Sequence, residues 1–273
     1  MSNWLKIYLV WCGIILPSWG AVAMDQPLEK ENNHVTKPPH IVFLISEDPD
    51  NYEAHLTIPV FAKQLETELG YQVTVLQGTG ERHAYKFPKL EVLQKADLVV
   101  VFARRLALPK KQMKLLKSYL KKGNPLVGIR TANHAFSVRE GNIPSTHTDW
   151  WDFVPDILGC ENRGYGPVEP GTEVQVVPTA KNHPVLEGTN LDSWHSEGNL
   201  YLVAPLLDKS ATVLLEGQAD GKTEPIAWTR MAGKNRVFYT SLGYPSDFKN
   251  AGFRQLLING IQWTLEEKSV IDN

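Results

Sequence analysis

The sequence predicts an α/β fold on a mostly parallel sheet with an embellished C-terminal half. Continuous apolar runs of strand length, at 41–45, 98–102 and 126–129, alternate with segments whose apolar residues recur at helical spacing. Runs that are apolar at every residue suit strands covered on both faces, and strands alternating with helices join by right-handed crossovers into a parallel sheet. After Gly159 the character changes: glycine and proline become frequent, and strand pairs replace helices.

Taken in order, Ile41 to Ile45 is the first strand, ending at Ser46-Glu47-Asp48. Phe61, Ala62, Leu65 and Leu69 mark one face of a helix over Ile58 to Leu69 that stops at Gly70. Tyr71 to Leu76 is a second strand, Pro88 to Lys95 a short helix and Leu98 to Phe102 a third strand. Pro109 suits a first helical turn, and Met113, Leu116 and Leu120 trace the buried face until Gly123. Leu126 to Ile129 is the fourth strand. Asp149 to Leu158 reads as a short helix and Gly159 to Pro170 as an irregular excursion, with a strand at Leu200-Tyr201. Strands then follow at 172–177, 211–215, 225–229 and 236–241, the last two joined as a hairpin through Met231 to Asn235. An amphipathic helix through Phe253, Leu256, Leu257, Ile261 and Leu265 closes the chain.

The chain has 273 residues, 42% hydrophobic and 21% charged, with a net charge of −2, so a sizeable core is available and no basic tract marks a nucleic-acid partner. Residues 1–23 read as a signal peptide: Lys6 precedes an apolar run from Ile7 to Trp19, and Ala21-Val22-Ala23 has the small-x-small cleavage pattern. The run is too short for a membrane span and Pro17 interrupts it, so a secreted or periplasmic protein without a membrane anchor is expected. Residues 24–39 read as a polar leader expected to be flexible and 268–273 as a short tail, leaving one expected domain over 40–267. Without Cys12 the domain keeps only Cys160, a buried filler, so no intrachain disulfide supports it.

Chemistry is expected at the carboxyl ends of the strands, where α/β folds bind ligands. Pro125 to Phe136 runs from a buried strand through Gly128 into a sharp turn that presents Arg130 or Thr131. Elbows of this kind usually present Ser or Cys. Glu47 and Asp48 end the first strand, Arg104-Arg105 the third, and Tyr244 follows the hairpin. His134 and Glu47 are the acid or base candidates, because a histidine titrates near neutrality and a carboxylate can partner it. Arg130, Thr131, Asp48, Glu197 and Tyr244 are the polar ligand-binding candidates, and Trp150 and Trp151 supply flat faces for a sugar ring. No cofactor is expected. His147, His183 and His195 are scattered through loops without helical metal-ligand spacing, so no metal ligands are assigned and a divalent metal is only a secondary expectation.

The elbow Gly128-Ile-Arg-Thr-Ala-Asn-His-Ala-Phe136, the segment Asn182-His-Pro-Val185, and Glu224-Pro-Ile-Ala-Trp-Thr-Arg230 with Arg236-Val-Phe-Tyr-Thr-Ser-Leu-Gly243 resemble the ThuA-like domain, named after a trehalose utilisation protein. The resemblance runs from about His40 to Glu266. It implies a flavodoxin-like sheet with helices on both faces, related to the class I glutamine amidotransferase-like superfamily. Laid over the amidotransferase motifs, Arg130 stands at the nucleophilic cysteine, Tyr244 at the catalytic histidine and Ser246 at the glutamate. A guanidinium stays protonated and cannot attack an acyl carbon, so no glutaminase activity is expected. The chain also carries Tyr244, and Glu161-Asn162-Arg163, where ThuA-like relatives carry histidines. Two functions are expected in turn: a protein that binds, and in some form transforms, a carbohydrate or oxidised sugar, or a non-catalytic binding or scaffolding module.

Overall fold

His40 to Ile45 and Leu98 to Phe102 are buried at every residue, as strands covered on both faces must be. In the computed structural model, which describes residues 37–266, the elements of the first half are β1 (His40–Ile45), α1 (Ala54–Leu69), β2 (Gln72–Gln77), β3 (Leu98–Phe102), β4 (Leu108–Pro109), α2 (Lys110–Lys121), β5 (Leu126–Ile129) and β6 (His147–Thr148). The second half contributes β7 (Thr172–Val176), β8 (Trp194–Ser196), β9 (Thr212–Ala219), β10 (Lys222–Ala232), β11 (Asn235–Thr240) and α3 (Ala251–Leu265). The signal peptide, most of the leader and the tail expected at 268–273 lie outside the described residues.

Nine strands form one sheet in the order β2-β1-β3-β5-β11-β10-β9-β7-β8. The first five are mutually parallel and, counted along the chain, take the doubly wound order 2-1-3-4-5. The other four continue the sheet antiparallel, so the embellished half extends the same sheet. Helices α1 and α3 cover one face, through Ile58, Phe61 and Leu65 and through Phe253, Leu256 and Leu257. Helix α2 covers the other, through Met113, Leu116 and Leu120. Gly260 lets α3 press onto β11, because a β-carbon there would stand 2.2 Å from the Phe238 ring.

Several local expectations change. Helix α1 starts at Ala54, one turn before Ile58, and contains Pro59. The segments expected as short helices at 88–95 and 149–158 are a 3-10 turn over Leu90–Lys95 and a single π-type turn over Val154–Leu158. Leu200-Tyr201 is not a strand: Tyr201 makes only an isolated bridge to Tyr165. The short strands β4, β6 and β8 were not anticipated, because two or three residues carry no readable period. The final hairpin turns tightly on Gly233-Lys234, with Ala232 opposite Asn235. Cys160 is wholly buried, and burial pushes its thiol up to about 12.

Candidate functional site

Strand order reverses between β1 and β3, and the crevice at such a switch point is where open α/β sheets bind ligands. Asn51, wholly buried, closes the floor of this crevice: its Nδ2 donates to the carbonyls of Ser46 (2.8 Å) and Phe102 (2.9 Å), tying the ends of the two strands together. Thr131 Oγ1 donates to Asn51 Oδ1 at 2.5 Å and adds the end of β5 to the same network. Above it opens a cavity of about 390 Å3. Tyr52, Tyr165, Tyr201 and Tyr244 wall it, and Arg104, His134, Asn199, Asp50 and Glu53 add polar groups.

Arg130 takes the elbow, with a left-handed φ of 43°. A non-glycine residue there is strained by roughly 1–2 kcal/mol, so the surroundings must hold it. They hold it at both Nη atoms and at the carbonyl, while its buried Nε has no partner among the described residues. Its Nη1 donates to Ser241 O (2.8 Å), its Nη2 to Asn199 Oδ1 (2.6 Å), and its own carbonyl accepts from Tyr239 Oη (2.8 Å). The guanidinium carbon lies 3.9 Å from the Tyr52 ring centre, 4.8 Å from Tyr201 and 5.7 Å from Tyr244. Three electron-rich rings thus cage a cation that is only 1% exposed. Gly198 permits this approach, since a β-carbon there would come within 2.9 Å of Nη1. Burial opposes the guanidinium charge, but the surrounding tyrosines and Asp247 more than offset it, so its pKa lies above the ordinary value.

Asp247 anchors the turn that carries Tyr244. It is wholly buried, and its carboxylate accepts from Gly243 N (2.8 Å), Tyr244 N (2.9 Å) and Ser196 Oγ (2.8 Å). Burial raises its pKa, and these hydrogen bonds together with Arg130 work against that rise.

His134 ends a 3-10 turn over Arg130–His134. Its Nδ1 sits 2.5 Å from Asn133 Oδ1 and 2.8 Å from Asn162 Nδ2, one acceptor and one donor, so either neutral tautomer finds a partner. The ring lines the cavity. Burial first, then Arg105, Arg104, Arg139 and Arg130, hold its pKa well below the usual histidine value. A histidine kept neutral in the fold contributes stability that is complete above its unfolded pKa of about 6.5 and is lost as pH falls toward the folded value. Within that window the loss approaches about 1.4 kcal/mol per pH unit. Burial, then Arg236, also lowers the pKa of His183, in the same direction. Urea unfolding at a series of pH values between 7.5 and 5 is therefore expected to show a decline that His134→Gln makes clearly shallower. An unchanged slope in the variant would show that His134 titrates freely.

Residues 42–264 match the sequence profile of the trehalose utilisation family, ThuA. The chain belongs to the ThuA family. Two solved structures share its fold. A ThuA-like protein from Bacteroides uniformis ATCC 8492 has a TM-score of 0.60 at 19% identity, covering 86% of this chain and 94% of that one. Another, from Parabacteroides merdae ATCC 43184, has a TM-score of 0.60 at 17% identity over 84% and 90% of the two chains. A search among curated proteins gave no match.

Within this ThuA fold the expected site residues separate. His134 and Tyr244 line the tyrosine cavity. Arg130 and Thr131 lie beneath it, buried and engaged by protein partners, so Arg130 forms a floor where a ligand grip was expected. Glu47 and Asp48 border a neighbouring cavity of about 520 Å3, Glu47 held by Gln77 (2.5 Å) and Asp48 by a two-pronged contact with Arg82. Trp150 packs against Phe153 with the Lys117 ammonium 4.6 Å from its ring, while Trp151 is 52% exposed and borders a smaller cavity beside Asn162. Glu197 is exposed on the loop after β8.

Sequence reasoning missed Tyr52, Asn199, Tyr201 and Asp247, which complete the cage. Tyr52 lay four residues beyond the stretch read as the acidic end of the first strand, and Asn199 and Tyr201 in a segment read as turn and strand. Only their shared dependence on Arg130 unites them. Among the described residues no group of three His, Cys, Asp or Glu side chains is placed to hold a metal ion, and no helix is long and apolar enough to cross a membrane.

Proposed function

We propose that this ThuA-family protein binds a carbohydrate in the tyrosine-walled cavity, as a secreted or periplasmic protein exported by residues 1–23. The observation that carries the reading is the cavity's lining. Tyrosine rings, Tyr165 the most exposed of them, offer apolar surface to ring C–H groups, while His134, Asn199 and Arg104 line the same space with polar groups for hydroxyl oxygens. Its size suits a small ligand, and polar groups converging among aromatic rings suit a site that fixes such a ligand's orientation. The strand order supports a place in the class I glutamine amidotransferase-like superfamily. Glutaminase chemistry is nevertheless not proposed, because the elbow carries a sealed guanidinium in place of a thiol.

A thermal-shift screen of mono- and disaccharides tests the reading, since a ligand of the native state raises apparent stability by about 2.7 kcal/mol at a hundred times its Kd. At least one neutral sugar is expected to raise Tm, and Tyr165→Ala, at a ring that is 54% exposed, is expected to weaken its binding by up to about tenfold. No shift with any sugar at high concentration would sink the proposal. Binding without turnover is the second reading, favoured by the placement of Glu47 and His134 in different cavities. Conversion of a bound sugar that Glu47→Gln abolishes, with the fold intact, would remove it.

A further inference from the structure

A second cleft, of about 200 Å3, adjoins the tyrosine cavity and shares Arg104 and Tyr165 with it. Its other polar residues are Arg82, Arg105, Arg139 and Glu140. Four arginines around one small space repel one another unless they are neutralised. Two are neutralised: Asp48 and Asp50 hold Arg82, and Asp50 Oδ2 holds Arg104 at 2.7 Å. Among the described residues no carboxylate pairs with Arg105 or Arg139, although Glu140 borders the same cleft.

Arg105 is the informative member. It is 7% exposed, it holds a left-handed φ of 55°, and its side chain makes one hydrogen bond, a long one from Nη1 to Ser137 O at 3.4 Å. A guanidinium carries five N–H donors, and none of the Arg105 nitrogens is sealed in the protein without a partner, so those not bonded to Ser137 stay open to the cleft that the residue lines. Burial, then the charges of Arg139 and Arg104, press its pKa down to about 10. The same charges depress His134, so the cluster's field reaches into the tyrosine cavity. An anion in the cleft would supply the missing acceptors and relieve the repulsion together. A planar guanidinium fork matches the paired oxygens of phosphate, sulfate or carboxylate.

We propose that this cleft receives the anionic group of a charged sugar whose ring lies in the tyrosine cavity, with Arg105 and Arg139 as its ligands. The substrate class is then an anionic carbohydrate: a uronic acid, a sugar phosphate or a sugar sulfate. This rests on the carbohydrate reading above and narrows it.

Calorimetric titration of the protein with glucose, galactose and mannose, with their uronates and 6-phosphates, and with inorganic phosphate alone tests both layers separately. In moderate salt at least one charged sugar is expected to bind about tenfold or more tighter than its neutral parent, a gap of about 1.4 kcal/mol. Whether the uronate or the phosphate gains identifies the anion. Arg105→Gln is expected to erase the gap while leaving neutral-sugar affinity nearly unchanged. Arg139→Gln, at an exposed position where folding is not at stake, is expected to narrow it and carries the test should the first variant fail to fold. Charged sugars binding no tighter than neutral ones, or a gap that survives in both folded variants, overturns the proposal and leaves the carbohydrate reading standing. Phosphate binding lost in Arg105→Gln, with no sugar of either kind binding, overturns the carbohydrate reading and retains only an anion site.

Discussion

Replacing Arg130 by alanine is expected to destabilise the protein by about 3–5 kcal/mol, a fall in Tm on the order of 10 °C for a domain of this size. The substitution removes both donors that Ser241 O and Asn199 Oδ1 receive, leaving buried acceptors whose desolvation is no longer offset. It also empties the space between Tyr52, Tyr201 and Tyr244, and large-to-small changes in such packed places carry an added cavity cost. The left-handed backbone at this position stays strained with alanine, so no relief compensates. Arg130→Met separates the two contributions, because its flexible apolar chain fills much of the cage without restoring a donor. It is expected to recover part of the loss in urea unfolding. An alanine variant within about 1 kcal/mol of the parent would show that the cage is not what holds the elbow. Loss of ligand binding in Arg130→Ala alone is therefore read as loss of a floor and is interpreted only beside the unfolding data.

Asp247→Ala is the second large effect, expected at about 3 kcal/mol or more, because three buried donors lose one acceptor group at once. Asp247→Asn is expected to be much milder. Its carbonyl oxygen can still accept from Gly243 N and Tyr244 N, and its amide can donate to Ser196 Oγ, so most of the geometry survives. The pH dependence distinguishes the charge from the shape. Burial raises the Asp247 pKa in the fold, so its contribution is fully present below the unfolded value of about 3.9 and is lost as pH rises through the folded one. Asparagine does not titrate, so the asparagine variant is expected to be less costly at pH 7 than near pH 4. An equal cost at both, measured by urea unfolding, would mean that the carboxylate feels no net penalty from burial. The sign is opposite to that of His134, which stabilises toward higher pH, and the two effects are separable by single variants.

The parallel core was legible because its signal is local. Ile41 to Ile45 and Leu98 to Phe102 announce themselves within five residues, and Gly70 and Gly123 close their helices where a turn must reverse. The elbow was legible for the same reason: a buried strand, a glycine and a polar turn occur in sequence. What surrounds the elbow was not. Arg130 looked like a hand extended to a ligand because nothing in residues 125 to 136 indicates that Tyr52, Asn199 and Tyr201 close over it. Trp150 and Trp151 drew attention as a pair, yet the aromatic surface of the cavity comes from tyrosines scattered from residue 52 to residue 244. A pattern spread over that distance has no periodicity to read; only the fold gathers it.

Strand β11 is nearly the last element made, yet it lies between β5 and β10 in the interior of the sheet. A growing chain that has emerged as far as β5 therefore has β3 and β5 side by side with one flank of β5 still unpaired. The bonds from Arg130 to Asn199 and Ser241 close over sequence separations of 69 and 111 residues. Contacts of such long range pay their loop-closure entropy before they reward it, and chains that depend on them fold slowly. The pocket and the completed sheet thus both depend on residues that emerge long after β5. A nascent or truncated chain ending before residue 240 has neither, and carries an open strand flank that invites association with other chains.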